Sequence, residues 1–253
     1  MTLNGLLRIL KVLRGSIVKA LAIIPARGGS KRIPRKNIRS FCGFPIIKYP
    51  IEAALNANCF EKIIVSTDDG EIAEIAKKYG ASVPFYRSEL NSSDTSSTLD
   101  VIKEVLHTYD LKGVIFDYIC CLYPTAVFIK PKFLTETLKM MMDKKADSLV
   151  SVVKYSYPIQ RALKFEKGKI RMLDPSYVGV RTQDIEQMYH DAGQFYWLKP
   201  QSVLDGKEIF NSNSYGFELP EVMVQDIDNE TDWKLAEIKY EFFLKQPGEY
   251  KNG

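Results

Sequence analysis

Cysteine and histidine are scarce in this chain, and their placement excludes several kinds of site. Only four of the 253 residues are cysteine and only two are histidine. The cysteines, at positions 42, 59, 120 and 121, lack the spacing of a zinc site, and Cys120 and Cys121 lie in an apolar run where buried thiols are common. The sequence therefore predicts neither a disulfide nor a cysteine-bound metal.

Long apolar runs are also missing. Crossing a bilayer takes about 20 consecutive apolar residues, and the chain has no such run. The first 18 residues, MTLNGLLRILKVLRGSIV, alternate apolar and basic residues too densely for a signal peptide. They fit an amphipathic surface helix, or equally an over-extended start site, so residues 1–18 are treated as a leader outside the fold. We expect a cytoplasmic protein without a membrane span.

The chain has little net charge once one end is set aside. Its formal charge is +4, and four basic residues before position 20 (Arg8, Lys11, Arg14 and Lys19) account for it. The other basic residues equal the acidic ones in number, so positive charge is concentrated in the leader and in one loop. A basic surface for nucleic acid is not expected.

That loop is the most distinctive stretch of the sequence. Residues 22–38 read AIIPARGGSKRIPRKNI, an apolar run followed by two glycines, a serine and five cationic side chains without a carboxylate. Glycines let a backbone approach a ligand closely, and successive N–H groups in such a turn bind anions. The loop predicts a polyphosphate site; the alternative is a solvated basic loop. It matches neither GxGxxG nor GxxxxGK[ST], so neither a dinucleotide fold nor a P-loop NTPase follows.

Strand and helix patterns alternate along most of the chain. Strands are predicted at 21–24, 62–67, 83–86, 117–123, 148–153, 192–198 and 222–228, and helices at 45–57, 71–80, 96–108, 132–144 and 231–244. This order predicts an α/β domain over residues 19–245, with a mostly parallel sheet covered by helices on both faces and a tail at 246–253. Residues 155–190 break the order and are predicted to be an insertion with a hairpin turning at 166–169.

Two carboxylates, Asp226 and Asp228, end the last predicted strand. Alternation places both on one side of an extended chain. Ligands of open α/β sheets bind beyond the carboxyl ends of strands, so this pair, the basic loop, Asp68 and residues 123–127 are expected around one cleft. The pair suits Mg²⁺; the alternative is a helix cap formed by Asp228 or Thr231. A polyphosphate loop beside a metal pair favours nucleotidyl or phosphoryl transfer.

Four segments carry a resemblance to a known family: IPARGGSKRIPRKN, VSTDD, YRSELNSSDTSST and QDID. They are similar to the acylneuraminate cytidylyltransferase family, which makes CMP-activated nonulosonic acids, and the resemblance spans about residues 19–245. CLYPTAVFI and DAGQFYW are most similar to the pseudaminic acid branch. The sialic acid branch typically has glutamine where this chain has Tyr123, which puts N-acetylneuraminic acid in doubt as the substrate.

The resemblance implies a role for each matching residue. It places the triphosphate on Arg27, Gly28, Gly29, Ser30 and Lys36, with Arg27 and Lys36 as catalytic residues. Asn37, Arg87 and Thr98 would recognise cytidine, Tyr123 and Gln194 would meet the sugar, and Asp226 and Asp228 would hold Mg²⁺. Taken alone, Arg87 also fits a surface ion pair and Thr98 a helix-face residue.

The same resemblance implies a fold and a reaction. The fold would be a single Rossmann-like nucleotidyltransferase domain, forming a homodimer through residues 155–190. The reaction would be attack by the anomeric hydroxyl of a nonulosonic acid on the α-phosphate of CTP, releasing pyrophosphate, for glycosylation of flagellin or surface polysaccharide. His107 and His190 lie outside the motifs, so the proton acceptor is unassigned. The alternatives are a CMP-N-acetylneuraminate or CMP-legionaminate synthetase, a nucleotidyltransferase for sugar phosphates, and a non-catalytic nucleotide sensor.

Overall fold

The computed structural model describes residues 18–245. The leader up to residue 17 and the tail at 246–253 lie outside the described residues. The strands are β1 Ala20–Pro25, β2 Ser40–Phe41, β3 Phe44–Pro45, β4 Lys62–Ser66, β5 Tyr118–Leu122, β6 Ser148–Lys154, β7 Leu163–Glu166, β8 Lys169–Met172, β9 Tyr189–Leu198 and β10 Ser214–Glu218. The helices are α1 Lys48–Ala57, α2 Gly70–Lys78, α3 Thr98–Asp110, α4 Pro131–Lys144, α5 Pro200–Leu204 and α6 Glu230–Lys245.

The central sheet has six strands in the order β4-β1-β5-β9-β6-β10. Neighbours β4, β1 and β5 are parallel, as are β6 and β10, whereas β9 runs antiparallel to both β5 and β6. The predicted mostly parallel α/β sheet is therefore confirmed. Because β1, β4 and β5 point the same way, the loops after their carboxyl ends lie at one edge of the sheet.

Each face of the sheet is covered by helices. Along β1, Ala22 and Ile24 point into one core, which includes residues of α1, α2, α4 and α6. Leu21 and Ile23 point into a second core, which α3 and α5 cover. These side chains are fully buried, so the continuous apolar run of β1 reflects a strand buried on both sides.

The predicted hairpin in the insertion is confirmed. Strands β7 and β8 pair antiparallel from Leu163 with Met172 to Glu166 with Lys169. Its two turn residues, Lys167 and Gly168, have φ angles of 49° and 80°, the left-handed conformation that two-residue hairpin turns require.

Two of the predicted strands are wrong. Residues 222–228 form a short 3₁₀ turn at Glu221–Met223 and then an extended segment, while β6 pairs with β10 instead. Met223 and Ile227 are buried, so packing alone explains the apolar run. Near residues 83–86 the described chain has only a single bridge, from Ser82 to Ile64; Pro84 has no N–H to extend it.

Among the described residues, none of the helices is both long and apolar enough to cross a bilayer.

Candidate active site

Most of the predicted nucleotide-binding residues, together with Tyr123, surround a cleft at the carboxyl ends of β1, β4 and β5. Two adjoining cavities, of about 240 and 360 Å³, share Arg27, Lys36, Asn37 and Asp94 in their walls. The smaller is also lined by Arg87, Thr98 and Tyr123, and the larger by Ser30, Lys31 and Arg32. The basic loop therefore separates a mainly polar chamber from a strongly cationic one.

Two consecutive aspartates after β4 hold the basic loop in place. The Asp68 carboxylate accepts a hydrogen bond from the Gly28 N–H at 2.8 Å, and a Cβ on Gly28 would lie 2.7 Å from Asp69 Oδ2. Asp69 caps α2 and accepts two hydrogen bonds from Arg35, a residue with φ of 54°. This hydrogen-bonded Arg35 guanidinium lowers the pKa of Asp69 to about 2. The close approach explains a glycine at position 28.

The glycine turn is only partly open to a ligand. The Gly28 N–H donates to Asp68 and the Ser30 N–H to Gly28 O at 3.0 Å. Two of the three main-chain donors predicted for the triphosphate thus already have protein acceptors. Binding of a triphosphate would therefore depend mainly on the cationic side chains of the loop.

Arg27 and Lys31 both form ion pairs with Asp94, a residue that the sequence did not identify as part of the site. Arg27 Nη1 lies 2.6 Å from Asp94 Oδ1, and Lys31 Nζ contacts the other oxygen of the same carboxylate. Asp94 lies in a loop rich in serine and threonine, where nothing in the local pattern indicates that its carboxylate faces the basic loop.

Lys36 connects the basic loop to the acidic pair. Its Nζ donates to Ile227 O at 2.8 Å and lies 3.7 Å from Asp228 Oδ1. Burial lowers the pKa of Lys36, while Asp228 and Asp226 act in the opposite direction. Arg32 also reaches Asp228, at 2.7 Å. Two cations of the loop therefore lie next to the predicted metal carboxylates, although neither Asp226 nor Asp228 lines either cavity.

The acidic pair does not serve as the cap of α6. Asn229 Oδ1 accepts from the N–H groups of Thr231 and Asp232 instead, so the alternative in which Asp228 or Thr231 caps the helix is wrong. Burial raises the pKa of Asp226, and the nearby Asp228 carboxylate adds to the rise. A cation bound by the two carboxylates would relieve this repulsion.

The donor set fits Mg²⁺ better than a metal caged by protein alone. Among residues 18–245 no group of three or more His, Cys, Asp or Glu side chains is placed to hold a metal. Mg²⁺ is usually bound through one or two carboxylates, with water and substrate phosphates completing its shell. Asp226 and Asp228, beside the basic loop, would supply that number of ligands.

The residues predicted for cytidine lie in or behind the smaller cavity. Asn37 is buried and donates to Arg27 O at 2.9 Å. Arg87 is buried too, donating to the hydroxyl and carbonyl of Ser66, and burial lowers its pKa. Its partners are neutral, so the surface ion-pair alternative for Arg87 is wrong. Thr98 begins α3, with its Oγ1 3.1 Å from the Tyr123 hydroxyl.

The structure separates the two residues predicted for the sugar. Tyr123 lines the smaller cavity, whereas Gln194 is 1% exposed and lies behind it, its main-chain oxygen accepting from Tyr123 N at 2.9 Å. The Gln194 amide nitrogen donates to Ala192 O at 3.1 Å, while Oε1 is buried without a hydrogen-bond partner among the described residues.

A family model described as Cytidylyltransferase matches residues 21–230. The chain belongs to this cytidylyltransferase family. It is 41% identical over 224 residues to the pseudaminic acid cytidylyltransferase of Campylobacter jejuni subsp. jejuni serotype O:2, a match that covers 88% of this chain and 97% of the relative.

Two further comparisons bear on the sugar and on the fold. The chain is 34% identical over 230 residues to the CMP-N,N'-diacetyllegionaminic acid synthase of Legionella pneumophila subsp. pneumophila, covering 87% of this chain and 95% of the relative. The structure of CMP:2-keto-3-deoxy-manno-octonic acid synthetase complexed with CTP superimposes with a TM-score of 0.66 over 90% of this chain and 99% of that one, at 18% identity. That likeness confirms the nucleotidyltransferase fold.

Membership of the cytidylyltransferase family agrees with the chemistry of the cleft. The protein is a nucleotidyltransferase, and such transfer depends mostly on positioning and on stabilising charge. Arg27, Lys31, Arg32 and Lys36 provide positive charge along one wall. Polar side chains and the ring of Tyr123 line the adjoining chamber.

Proposed function

We propose that this chain is a cytoplasmic, Mg²⁺-dependent enzyme that transfers CMP from CTP to the anomeric hydroxyl of pseudaminic acid. The products would be the CMP-sugar and pyrophosphate, and the CMP-sugar would serve glycosylation of flagellin or surface polysaccharide. The single observation that carries the choice of sugar is the 41% identity to a pseudaminic acid cytidylyltransferase over nearly that protein's whole length.

The basic loop supports the binding of CTP. Arg27 and Lys36 line both cavities, so each can reach a triphosphate that runs from one chamber into the other. Lys36 is held against Ile227 O and near Asp228, which places its charge beside the acidic pair. There it would oppose the negative charge that develops on the α-phosphate.

Asp226 and Asp228 are the residues that would hold Mg²⁺. When bound, the ion would neutralise phosphate charge and fix the geometry of the triphosphate. Asp228 also holds two cations of the basic loop, because it pairs with Arg32 and lies near Lys36.

The chamber around Tyr123 supports a sugar that carries acylamino and methyl groups. Tyr123 offers an aromatic face with a polar tip, and the Gln194 amide behind it keeps one oxygen without a partner among the described residues. An acceptor of that kind matches the N–H of an acylamino group, but Gln194 is 1% exposed, so meeting the sugar would require its side chain to turn into the chamber. Legionaminic acid shares these groups, so a CMP-legionaminate synthetase is the nearest alternative, ahead of N-acetylneuraminate, a sugar phosphate, or binding without catalysis.

The insertion supports a homodimer. Residues 155–190 expose large apolar side chains, among them Tyr157 at 84%, Phe165 at 73% and Val178 at 68%. Large apolar side chains clustered on one surface are typical of an interface. We propose that a second copy of the chain covers them.

The test is a comparison of sugars. Pyrophosphate release would be measured with CTP, Mg²⁺ and either pseudaminic, legionaminic or N-acetylneuraminic acid, with each product identified by ³¹P NMR. We expect the highest kcat/KM for pseudaminic acid, no release when Mg²⁺ is chelated, and none with a sugar 1-phosphate. A higher kcat/KM for another nonulosonic acid would refute the choice of sugar, and binding of CTP without release with any sugar would indicate a sensor.

A further inference from the structure

Strand β9 contains a bulge at residues 191–194 that changes which side chains share a face. Asp191 pairs with Val152 of β6, but Tyr196, five residues later, pairs with Val150. In a regular strand, side chains five apart point to opposite faces, whereas the two valines, two apart, point to the same face. The bulge therefore brings Asp191 and Tyr196 to one face of the sheet, and Gly193, with φ of 60°, is the residue that permits it.

The Asp191 carboxylate fixes both the bulge and Tyr196. One oxygen accepts the Gly193 N–H at 2.8 Å, and the other accepts the Tyr196 hydroxyl at 2.5 Å. Tyr196 is 4% exposed. Burial raises the pKa of its hydroxyl, so this group remains a proton donor to Asp191 throughout the physiological pH range.

Tyr196 and the bulge both contact Tyr123. The two rings pack edge to face, with centroids 5.6 Å apart at an interplanar angle of 83°. Gln194, within the bulge, accepts the main-chain N–H of Tyr123 at 2.9 Å. Beyond these contacts the Tyr123 hydroxyl lies 3.1 Å from Thr98 Oγ1, in the wall of the smaller cavity. A continuous set of contacts thus runs from Asp191, on the surface, to the chamber.

We propose that Asp191 and Tyr196 are positioning residues for Tyr123, and that this pair sets how tightly the sugar is bound. Neither Asp191 nor Tyr196 lines a cavity; together they hold the ring of Tyr123, which lines the smaller one. The inference rests on the proposed function in one respect, that Tyr123 contacts the sugar. Within the DAGQFYW segment, it assigns a role to Asp191 and Tyr196 in addition to the role predicted for Gln194.

The first test separates sugar binding from CTP binding. Tyr196→Phe removes the donor of the hydrogen bond, and Asp191→Asn replaces one of the two acceptor oxygens by an amide NH₂, so that the side chain can no longer accept from both Gly193 and Tyr196. Both variants preserve shape. Tyr49→Phe is the matched control, because the Tyr49 hydroxyl donates to Phe41 O at 2.8 Å away from the cleft. We expect KM for the sugar to rise roughly 5- to 30-fold in the first two variants, the scale of one lost hydrogen bond. KM for CTP should change less than about twofold, and Tyr49→Phe should change neither.

The second test asks whether the effect passes through Tyr123. In a double-mutant cycle, Tyr196→Phe should have less than about a twofold effect once Tyr123→Leu has removed the ring that it orients. A full effect of Tyr196→Phe in that background, or an equal effect of Tyr49→Phe on KM for the sugar, would overturn the proposal. The cycle uses whichever nonulosonic acid is turned over fastest, so an error in the choice of sugar does not affect it.

A measurement without any sugar completes the design. With fluorotyrosine incorporated, the ¹⁹F resonance of Tyr123 is identified by its loss in Tyr123→Phe. We expect that resonance to shift in Asp191→Asn and to stay in place in Tyr49→Phe. An unshifted Tyr123 resonance in Asp191→Asn would show that the carboxylate does not position the ring, whatever the enzyme's substrate.

Discussion

The cationic side chains in and around the cleft already form ion pairs with carboxylates of the protein. Arg27 and Lys31 pair with Asp94, Arg32 pairs with Asp228, and Arg35 pairs with Asp69. These contacts keep a dense cluster of like charges together, but those of Arg27, Lys31 and Arg32 also compete with a triphosphate for the same side chains. Binding CTP would therefore exchange partners rather than fill an unpaired cationic pocket.

Asp94→Asn tests this competition. We expect CTP to bind several-fold more tightly to the variant at low salt, because a carboxylate facing the phosphates is removed, and the gain should shrink as ionic strength rises. Calorimetric titration of CTP without sugar measures it, with Asp110→Asn, at the end of α3, as the control. Weaker binding would instead mean that Asp94 orients Arg27 and Lys31 for the phosphates.

Asp226→Asn and Asp228→Asn test the metal pair. Each keeps the shape of the side chain and deletes one anionic ligand, so we expect kcat/KM to fall about 100-fold or more, with the unfolding temperature little changed. Pyrophosphate release is followed across a Mg²⁺ titration. Asp205→Asn, a carboxylate that accepts from Gln201 on α5, is the control. Turnover at the parent rate in both variants at saturating Mg²⁺ would remove the metal assignment.

The shape of the loop after β1 depends on one glycine, Gly28. Gly28 has no room for a side chain, because a Cβ there would lie 2.7 Å from Asp69 Oδ2, while Gly29 has nothing within 4 Å. We expect Gly28→Ala to displace Asp69 from α2 and Arg35, lowering both the unfolding temperature and CTP affinity. Overpacking of this kind costs about 1–3 kcal/mol.

Gly29→Ala is the matched control for Gly28→Ala. It adds the same methyl group one residue later, into space free of protein atoms, so the unfolding temperature should stay near the parent value, while any loss of CTP affinity there would come from contact with the ligand itself. Thermal unfolding and CTP titration of both variants measure the difference. Equal losses at the two positions would mean that general loop flexibility, and not the contact with Asp69, determines the loop's function.

Sequence reasoning succeeded where a local pattern determines the outcome. The buried run of β1, the helix α2 ending before Gly80, and the hairpin turn at residues 167 and 168 all follow from short-range rules, and each is confirmed. It failed at β10, an edge strand of five residues in which Tyr215 and Phe217 alternate with Ser214, Gly216 and Glu218, a pattern that is too short to stand out from the sequence. Its pairing depends on the position of β6 rather than on its own residues. The apolar residues within 222–227 indicated a strand more strongly, and that prediction is wrong.

The candidate site divides in the same way. The basic loop and the Asp226 and Asp228 pair could be predicted because adjacent residues carry the charge. Asp94, Asp191 and Tyr196 could not, because each acts through a contact that the fold creates. Asp94 is 67 residues from Arg27 in sequence, and Asp191 reaches Tyr196 only because β9 contains a bulge.

In a single copy of the chain, the hairpin β7–β8 is incompletely packed. Phe165 and Ile170 are cross-strand partners, and they are 73% and 63% exposed. A two-stranded hairpin is marginally stable in water unless a face of it is covered. Tyr155, Tyr157 and Ile159, which lie in the segment 155–190 predicted to form the homodimer, are likewise outside both cores. The homodimer proposed above would supply the missing cover.

Replacing Phe165 by Glu and Ile170 by Lys tests the homodimer. The new pair suits a cross-strand position in a hairpin, but it would place two charges in an apolar interface, where their desolvation is unfavourable. By light scattering we expect the parent to be a dimer at micromolar concentration and the double variant to be a monomer with reduced turnover. Ile115→Glu, at a 70% exposed position outside the insertion, should remain dimeric and active. A fully active monomeric parent would refute the dimer, whereas a dimeric double variant would move the interface away from the hairpin.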